Sequence, residues 1–250
     1  MGKAGVKNDT VSKWAEVEVD AHKAVDDREC AGVNTVTNEK LGGGSGSKLE
    51  SNEYAEVLAT KILDRTRSVE EKTTDFMKTL ENNGGKLTGL EHRIKSQDSL
   101  TRKILSDSHI KGISLEEAAE GIGDSLRYTM IISEESYANV ATKSLQQLQE
   151  NGYTINKVKN YWGNDIYQGV NVSLTTPDGV KMELQFHTED SFYTKEILNH
   201  KYYEIARSES ATDDEVIEAT EKMIENQSHV KVPQNIEKII IEEFYKNGKD

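Results

Sequence analysis

The chain carries a single cysteine, Cys30, in 250 residues. One thiol excludes an intramolecular disulfide and any zinc site built on several thiolates, and it fits a reducing compartment. Proline is nearly absent, with two residues, so long stretches can run as regular helix or strand without the backbone donor that proline removes. No apolar run approaches the roughly 18 residues of a membrane-spanning helix. The N-terminus, Met-Gly-Lys-Ala-Gly-Val-Lys-Asn-Asp, lacks the apolar core of a secretory signal. Positive charge is also scarce. Lys and Arg number 31 against 44 Asp and Glu, for a formal net charge of −13. Broad nucleic-acid binding relies on many cations neutralising phosphates and is not expected. What is present is a polar composition, 30% charged and 35% hydrophobic, with a mean hydropathy of −0.70 and a modest core.

Residues 1–41 are polar and weakly patterned, with a short helix expected at about 11–25. Residues 42–47 read Gly-Gly-Gly-Ser-Gly-Ser, a flexible linker by composition. The boundary falls here: 1–48 form a polar segment with its linker, and 49–250 a folded domain. Apolar spacing predicts a helix over 50–81, broken near Ser68 and ended by Asn82-Asn83-Gly84-Gly85. Ser114 caps a short helix. A strand at 126–132, a helix at 135–150 and a strand at 153–158 follow. Strands at 168–174 and 180–187 form a hairpin across Thr175-Thr176-Pro177-Asp178-Gly179. Helices are expected at 190–208, 213–227 and 234–247. This order predicts an α+β fold, a mixed sheet of about five strands flanked by helices.

Residues 93–103 stand out in so acidic a chain, because Arg93, Lys95 and Lys103 gather there with Ser96 and Ser99. In a helix, Lys95, Ser99 and Lys103 follow at i,i+4 steps along one face. Arg binds phosphate oxygens in pairs and Lys acts as a point charge, so such a face suits a polyphosphate. Strand period two sorts the hairpin. Val180, Met182, Leu184 and Phe186 share one side with the core. Tyr167, Asn171, Glu183, Gln185 and His187 then lie together on an open polar surface, where an aromatic beside Gly169 offers a platform for a base. Asp124, at a strand edge near Glu183, forms with it a pair of carboxylates able to share Mg²⁺.

Taken together these segments resemble the RelA/SpoT-like synthetases, the (p)ppGpp synthetases and their toxin relatives. The family's ATP-binding stretch, R-x-K-x-x-x-S-x-x-x-K, is filled by Arg93, Lys95, Ser99 and Lys103. Its metal aspartate looks like Asp124, although the following Gly-x-Arg is shifted. Its Lys-Asp-Tyr segment looks like Lys159-Asn160-Tyr161. Its Gly-Tyr-x-Ser-x-His motif looks like residues 166–171, with Tyr167 kept and Asn171 in place of His. Its Glu-x-Gln-x-Arg-Thr strand looks like 183–188, with His187 in place of Arg. Glu196 and His200 look like the Glu-x-x-x-His that follows. The likeness covers about residues 90–204, the synthetase core only.

The resemblance implies a nucleotidyltransferase-like synthetase fold and a Mg²⁺-dependent pyrophosphokinase, with ATP as donor and a GDP- or GTP-type acceptor. Arg93, Lys95, Ser99 and Lys103 would hold ATP, and Asp124 and Glu183 the metal. Tyr167, Asn171, Gln185, His187 and Lys159 would meet the acceptor. The departures fall on the acceptor side, so adenosine nucleotides or a tRNA 3′ end remain alternatives, as does an inactive binding module of a phage particle. A divergent domain behind a linker also looks like a toxic module carried by a phage or secreted protein. It would act in the cytoplasm and be paired with an immunity protein or antitoxin.

Overall fold

The computed structural model describes residues 45–206, 208 and 210–239. The helix expected at 11–25, the start of the linker and the chain beyond 239 lie outside the described residues. The first helix, α1 (Ser45–Thr79), begins inside the stretch read as linker and passes Ser68 without a break. The expected break does not occur; Ser68 stays within the helix and donates from Oγ to the Arg65 carbonyl at 2.7 Å. The strand β1 (Lys86–Thr88) follows; at three residues it is too short to show an alternation in sequence. Next come α2 (Gln97–Lys111), α3 (Leu115–Gly121), β2 (Arg127–Ile131), α4 (Tyr137–Glu150), β3 (Thr154–Asn160), β4 (Val170–Thr175) and β5 (Lys181–His187). A helical stretch then runs through α5 (Glu189–Tyr193), a π-helical segment (Thr194–Asn199) and α6 (His200–Ala206). The last helix described is α7 (Asp213–Gln227). Within the range expected to be helical from 234, the described part forms only a 3₁₀ turn, Ile236–Lys238.

Side chains make the helix starts. Ser114 and Glu117 form a reciprocal capping box at α3, and Thr212 and Glu215 another at α7; each satisfies backbone donors that the first turn leaves unpaired. Gly152, at φ 83°, follows α4 in the left-handed conformation that glycine adopts without strain.

The five strands form one mixed sheet in the order β1-β2-β5-β4-β3, with β2 and β5 parallel and the other pairs antiparallel. Its apolar face carries Tyr128, Met130, Val170, Val172, Leu174, Met182, Leu184 and Phe186. This face meets Val140, Ala141, Leu145 and Leu148 of α4 and Val69, Met77 and Leu80 from the α1 side. A second cluster joins Ala55, Leu58, Ala59 and Leu63 of α1 to Leu100 and Ile104 of α2, fixing α2 beside the sheet.

Register defines the opposite face. Arg127 pairs with Glu183, Thr129 with Gln185 and Ile131 with His187. Ser173 and Asn171 pair with Glu183 and Gln185 from the other side, and Lys157 and Lys159 with Ser173 and Asn171. Paired residues point the same way. One row is therefore Lys157, Ser173, Glu183, Arg127, and the next Lys159, Asn171, Gln185, Thr129. The expected open surface is corrected here. Glu183 is 3% exposed and Gln185 and His187 are 0% exposed. The chain turns after β5 at Thr188, which caps α5 by accepting the Ser191 N–H, and so carries Lys195 back against Gln185.

Candidate active site

The basic stretch reaches the sheet through its backbone. Lys95 N–H donates to the Ser125 carbonyl at 3.1 Å, Arg127 N–H donates to the Arg93 carbonyl at 2.8 Å, and Ile94 bridges Leu126. This tie sets Lys95 beside Asp124. Ser96 then caps α2 by accepting the Ser99 N–H. The helix therefore starts after Lys95, and the expected single helical face of Lys95, Ser99 and Lys103 is corrected: Lys95 lies ahead of the extended cap residue Ser96, and only Ser99 and Lys103 are helical. The two lysines still converge. Lys95 Nζ lies 3.0 Å and Lys103 Nζ 2.8 Å from Asp124 Oδ2. All three side chains are buried.

Burial alone would raise the Asp124 pKa. The Lys95 and Lys103 ammoniums outweigh it and hold the carboxyl well below its usual range. Burial lowers the Lys103 pKa, with Asp124 opposing that shift and the neighbouring Lys95 charge adding to it. Asp124 uses only one oxygen in these pairs. Oδ1 is buried and has no hydrogen-bond partner.

Glu183 stands on the adjoining strand, with its N–H bonded to the Leu126 carbonyl at 3.0 Å. Gln185 Nε2 donates to Glu183 Oε2 at 2.9 Å. Burial raises the Glu183 pKa and the Asp124 charge raises it further, while Arg127 and Lys103 oppose. The Glu183 carboxyl therefore senses the Asp124 charge, which lies just ahead of the neighbouring strand β2. An oxygen-only pair, one member with an unclaimed buried oxygen, suits a hard cation such as Mg²⁺. Among the described residues no group of three or more His, Cys, Asp and Glu is gathered for a metal. A two-carboxylate site would leave the other coordination positions to substrate phosphates and water.

The remaining expected residues divide. Lys159 shares the polar face and its pKa is lowered by burial, with Glu183 opposing. Ser99 Oγ already meets Ser96 Oγ at 3.0 Å and Arg102 Nη2 at 3.3 Å. Arg93 is not brought to the lysines: its guanidinium pairs with Glu70 of α1 and also donates to the Leu90 carbonyl. Tyr167 is no open platform. Its ring is buried, edge-on to Tyr161 and to His187, and its hydroxyl donates to Asn171 Oδ1 at 2.7 Å. The Tyr167 hydroxyl also meets His187 Nε2 at 3.0 Å, and His187 Nδ1 meets the Ser191 hydroxyl at 2.9 Å. Burial and the nearby Lys195 and Arg127 charges hold His187 neutral, well below its ordinary pKa. Gly169 makes room for this ring, since a Cβ there would lie 2.8 Å from His187 Cε1.

Three residues near the site were given no role from the sequence. Arg127 lies opposite Glu183, and strand parity on β2 was the signal that could have found it. The Tyr161 hydroxyl is buried without a partner, near enough that the Glu183 charge helps raise its pKa, after burial. Lys195 arrives from the π-helical segment, which no sequence signal marked.

No family model matches the chain, and no curated protein does. Solved structures do resemble it. The Type VI effector Tas1, in complex with its immunity protein, is 19% identical over 72% of this chain and 95% of that one, with a TM-score of 0.46. A GTP pyrophosphokinase family protein from Streptococcus pneumoniae is 16% identical over 72% and 88%, with a TM-score of 0.41. The small alarmone synthetase 1 from Bacillus subtilis is 18% identical over 73% and 91%, with a TM-score of 0.40.

Proposed function

We propose that the domain is a nucleotide pyrophosphokinase that moves the β,γ-pyrophosphate of ATP onto the ribose 3′-hydroxyl of a nucleotide, GDP or GTP being the acceptor favoured. The observation that carries this reading is the buried constellation of Asp124, its unclaimed Oδ1, Lys95, Lys103 and the neighbouring Glu183. Cations and carboxylates set side by side on rigid elements suit a reaction whose catalysis is mostly positioning and charge neutralisation.

In this scheme the acceptor oxygen attacks the β-phosphorus of ATP. The new O–P bond forms as the bond from that phosphorus to the bridging oxygen on the α-phosphate breaks, and AMP leaves with the electron pair. The acceptor proton passes to the Glu183 carboxylate. Mg²⁺, when bound by Asp124 and Glu183, would neutralise phosphate charge. Lys95 and Lys103 then turn from Asp124 to the donor phosphates, and Lys159 and Arg127 face the acceptor. The reaction belongs in the cytoplasm, where both nucleotides are found, and as a toxic effector the domain would meet an immunity protein or antitoxin. Incubation with labelled ATP, Mg²⁺ and each of GDP, GTP, adenosine nucleotides and tRNA tests the reading. It expects AMP and a 3′-pyrophosphorylated nucleotide in equal amounts. Absence of transfer to every acceptor refutes it.

A further inference from the structure

We infer that Lys195 is a positioning residue that sets the Glu183 carboxylate through the Gln185 amide. The inference rests on the pyrophosphokinase reading for its kinetic consequence, but its geometry stands apart from it.

Gln185 is fully buried between two groups of opposite demand. Lys195 Nζ donates to Gln185 Oε1 at 3.0 Å, and Gln185 Nε2 donates to Glu183 Oε2 at 2.9 Å. An ammonium has only donors and a carboxylate only acceptors. The amide can therefore satisfy both in one orientation alone, carbonyl to Lys195 and NH₂ to Glu183. Turned over, it would press its carbonyl on a carboxylate and its NH₂ on an ammonium. Glu196 Oε1 holds Lys195 Nζ from the far side at 3.0 Å, so the ammonium cannot drift from the amide. The whole line is Glu196, Lys195, Gln185, Glu183.

The backbone serves the same end. Lys195 sits in the π-helical segment between α5 and α6. Such wide turns interrupt the regular i→i−4 ladder and recur at functional sites. Here the segment turns Lys195 inward, 6% exposed, together with Thr194 and Asn199, while Tyr193 and Ile197 are 53% and 55% exposed. A buried ammonium costs desolvation. The Gln185 bond gives it a place in the site.

The test uses Lys195→Met, Lys195→Arg, Gln185→Leu and the double variant Lys195→Met/Gln185→Leu in the full chain. Two readouts are taken: steady-state kinetics, and the Gln185 side-chain NH₂ signals in nitrogen-15 NMR. Outer partners of a site commonly tune activity by about 10–100-fold. Lys195→Met is expected to lower kcat about tenfold with both KM values within about twofold, and Lys195→Arg, which keeps a donor within reach, to recover most of it. The double variant is expected to be no slower than Gln185→Leu alone, because the lysine acts only through the amide. In the spectrum, Lys195→Met shifts the Gln185 NH₂ pair and speeds its exchange with water, while Lys195→Arg leaves the pair near its original place. Additive losses, or a loss confined to KM for a nucleotide, overturn the inference, since Lys195 would then bind substrate directly. An unmoved Gln185 NH₂ pair in Lys195→Met also overturns it. If the wild type transfers no pyrophosphate, the functional reading fails and the spectrum alone decides the positioning role.

Discussion

Asp124→Asn removes the carboxylate that two buried lysines share. Lys95 and Lys103 have side chains 0% and 8% exposed, and both Nζ atoms lie within 3.0 Å of Asp124 Oδ2. Asparagine keeps the shape and one carbonyl oxygen, but no charge. Breaking a buried ion pair by removing one partner costs about 3–5 kcal/mol, because the other charge is left buried and uncompensated. The lysines have one escape, which is to release a proton. From an ordinary value of 10.5 that costs about 5 kcal/mol at pH 7, so it caps the loss for each lysine without removing it. A total stability of about 5–15 kcal/mol leaves the variant folded but weakened. With a urea m-value of about 2 kcal/mol per molar, the unfolding midpoint falls by about 1.5–2.5 M. Lys103→Met should cost less, since Asp124 keeps Lys95 and the repulsion between the lysines disappears. Urea titrations followed by circular dichroism measure all three proteins. A midpoint drop under about 0.5 M for Asp124→Asn, or a larger drop for Lys103→Met, would show that the buried triad is not what the geometry describes.

Two further outcomes are expected. Mg²⁺ at a hundredfold excess over its dissociation constant should stabilise the wild type by about 2.7 kcal/mol, read as a rise in Tm, and should leave Asp124→Asn unmoved; an equal rise in both would place the ion elsewhere. His187 supplies a pH dependence. Its folded pKa lies well below 6.5, through burial and then the Lys195 and Arg127 charges, so the unfolded chain takes up the proton first on acidification. The stability that the neutral ring provides is therefore present above about pH 6.5 and is lost progressively below it. Urea midpoints at about pH 7 and about pH 5 should converge for His187→Gln relative to the wild type, and identical pH dependence in both would refute the neutral, Tyr167-bonded imidazole.

Much of this was legible in the chain because period two is a strict rule. Glu183, Gln185 and His187 alternate with Met182, Leu184 and Phe186, and the register places them on opposite faces. What parity cannot say is what covers a face. The polar side was expected open, yet the segment that leaves β5 packs Lys195 on Gln185 and Ser191 on His187, and that return depends on a Thr188–Ser191 cap and a π-helical turn. The basic stretch shows a similar limit. Its spacing marked Lys95 and Lys103 as partners, but the Ser96 cap starts the helix after Lys95, and the lysines meet through Asp124 rather than along a helical stripe. Arg93 went to Glu70, a partner 23 residues away in sequence that no local pattern reveals. The short β1 carried too few residues to alternate.

The central claim is pyrophosphate transfer that depends on Glu183, and a direct assay of the purified protein and its Glu183→Gln variant decides it. Glutamine is close to isosteric and lies on the polar face, away from the Met182, Leu184 and Phe186 side of the strand, so the fold should persist. A neutral amide neither takes the hydroxyl proton nor holds Mg²⁺ as a carboxylate does. With labelled ATP, Mg²⁺ and GDP or GTP, the wild type should yield AMP and the 3′-pyrophosphorylated acceptor, and folded Glu183→Gln should lose at least about 100-fold in rate. A folded Glu183→Gln variant working at the wild-type rate would contradict the account.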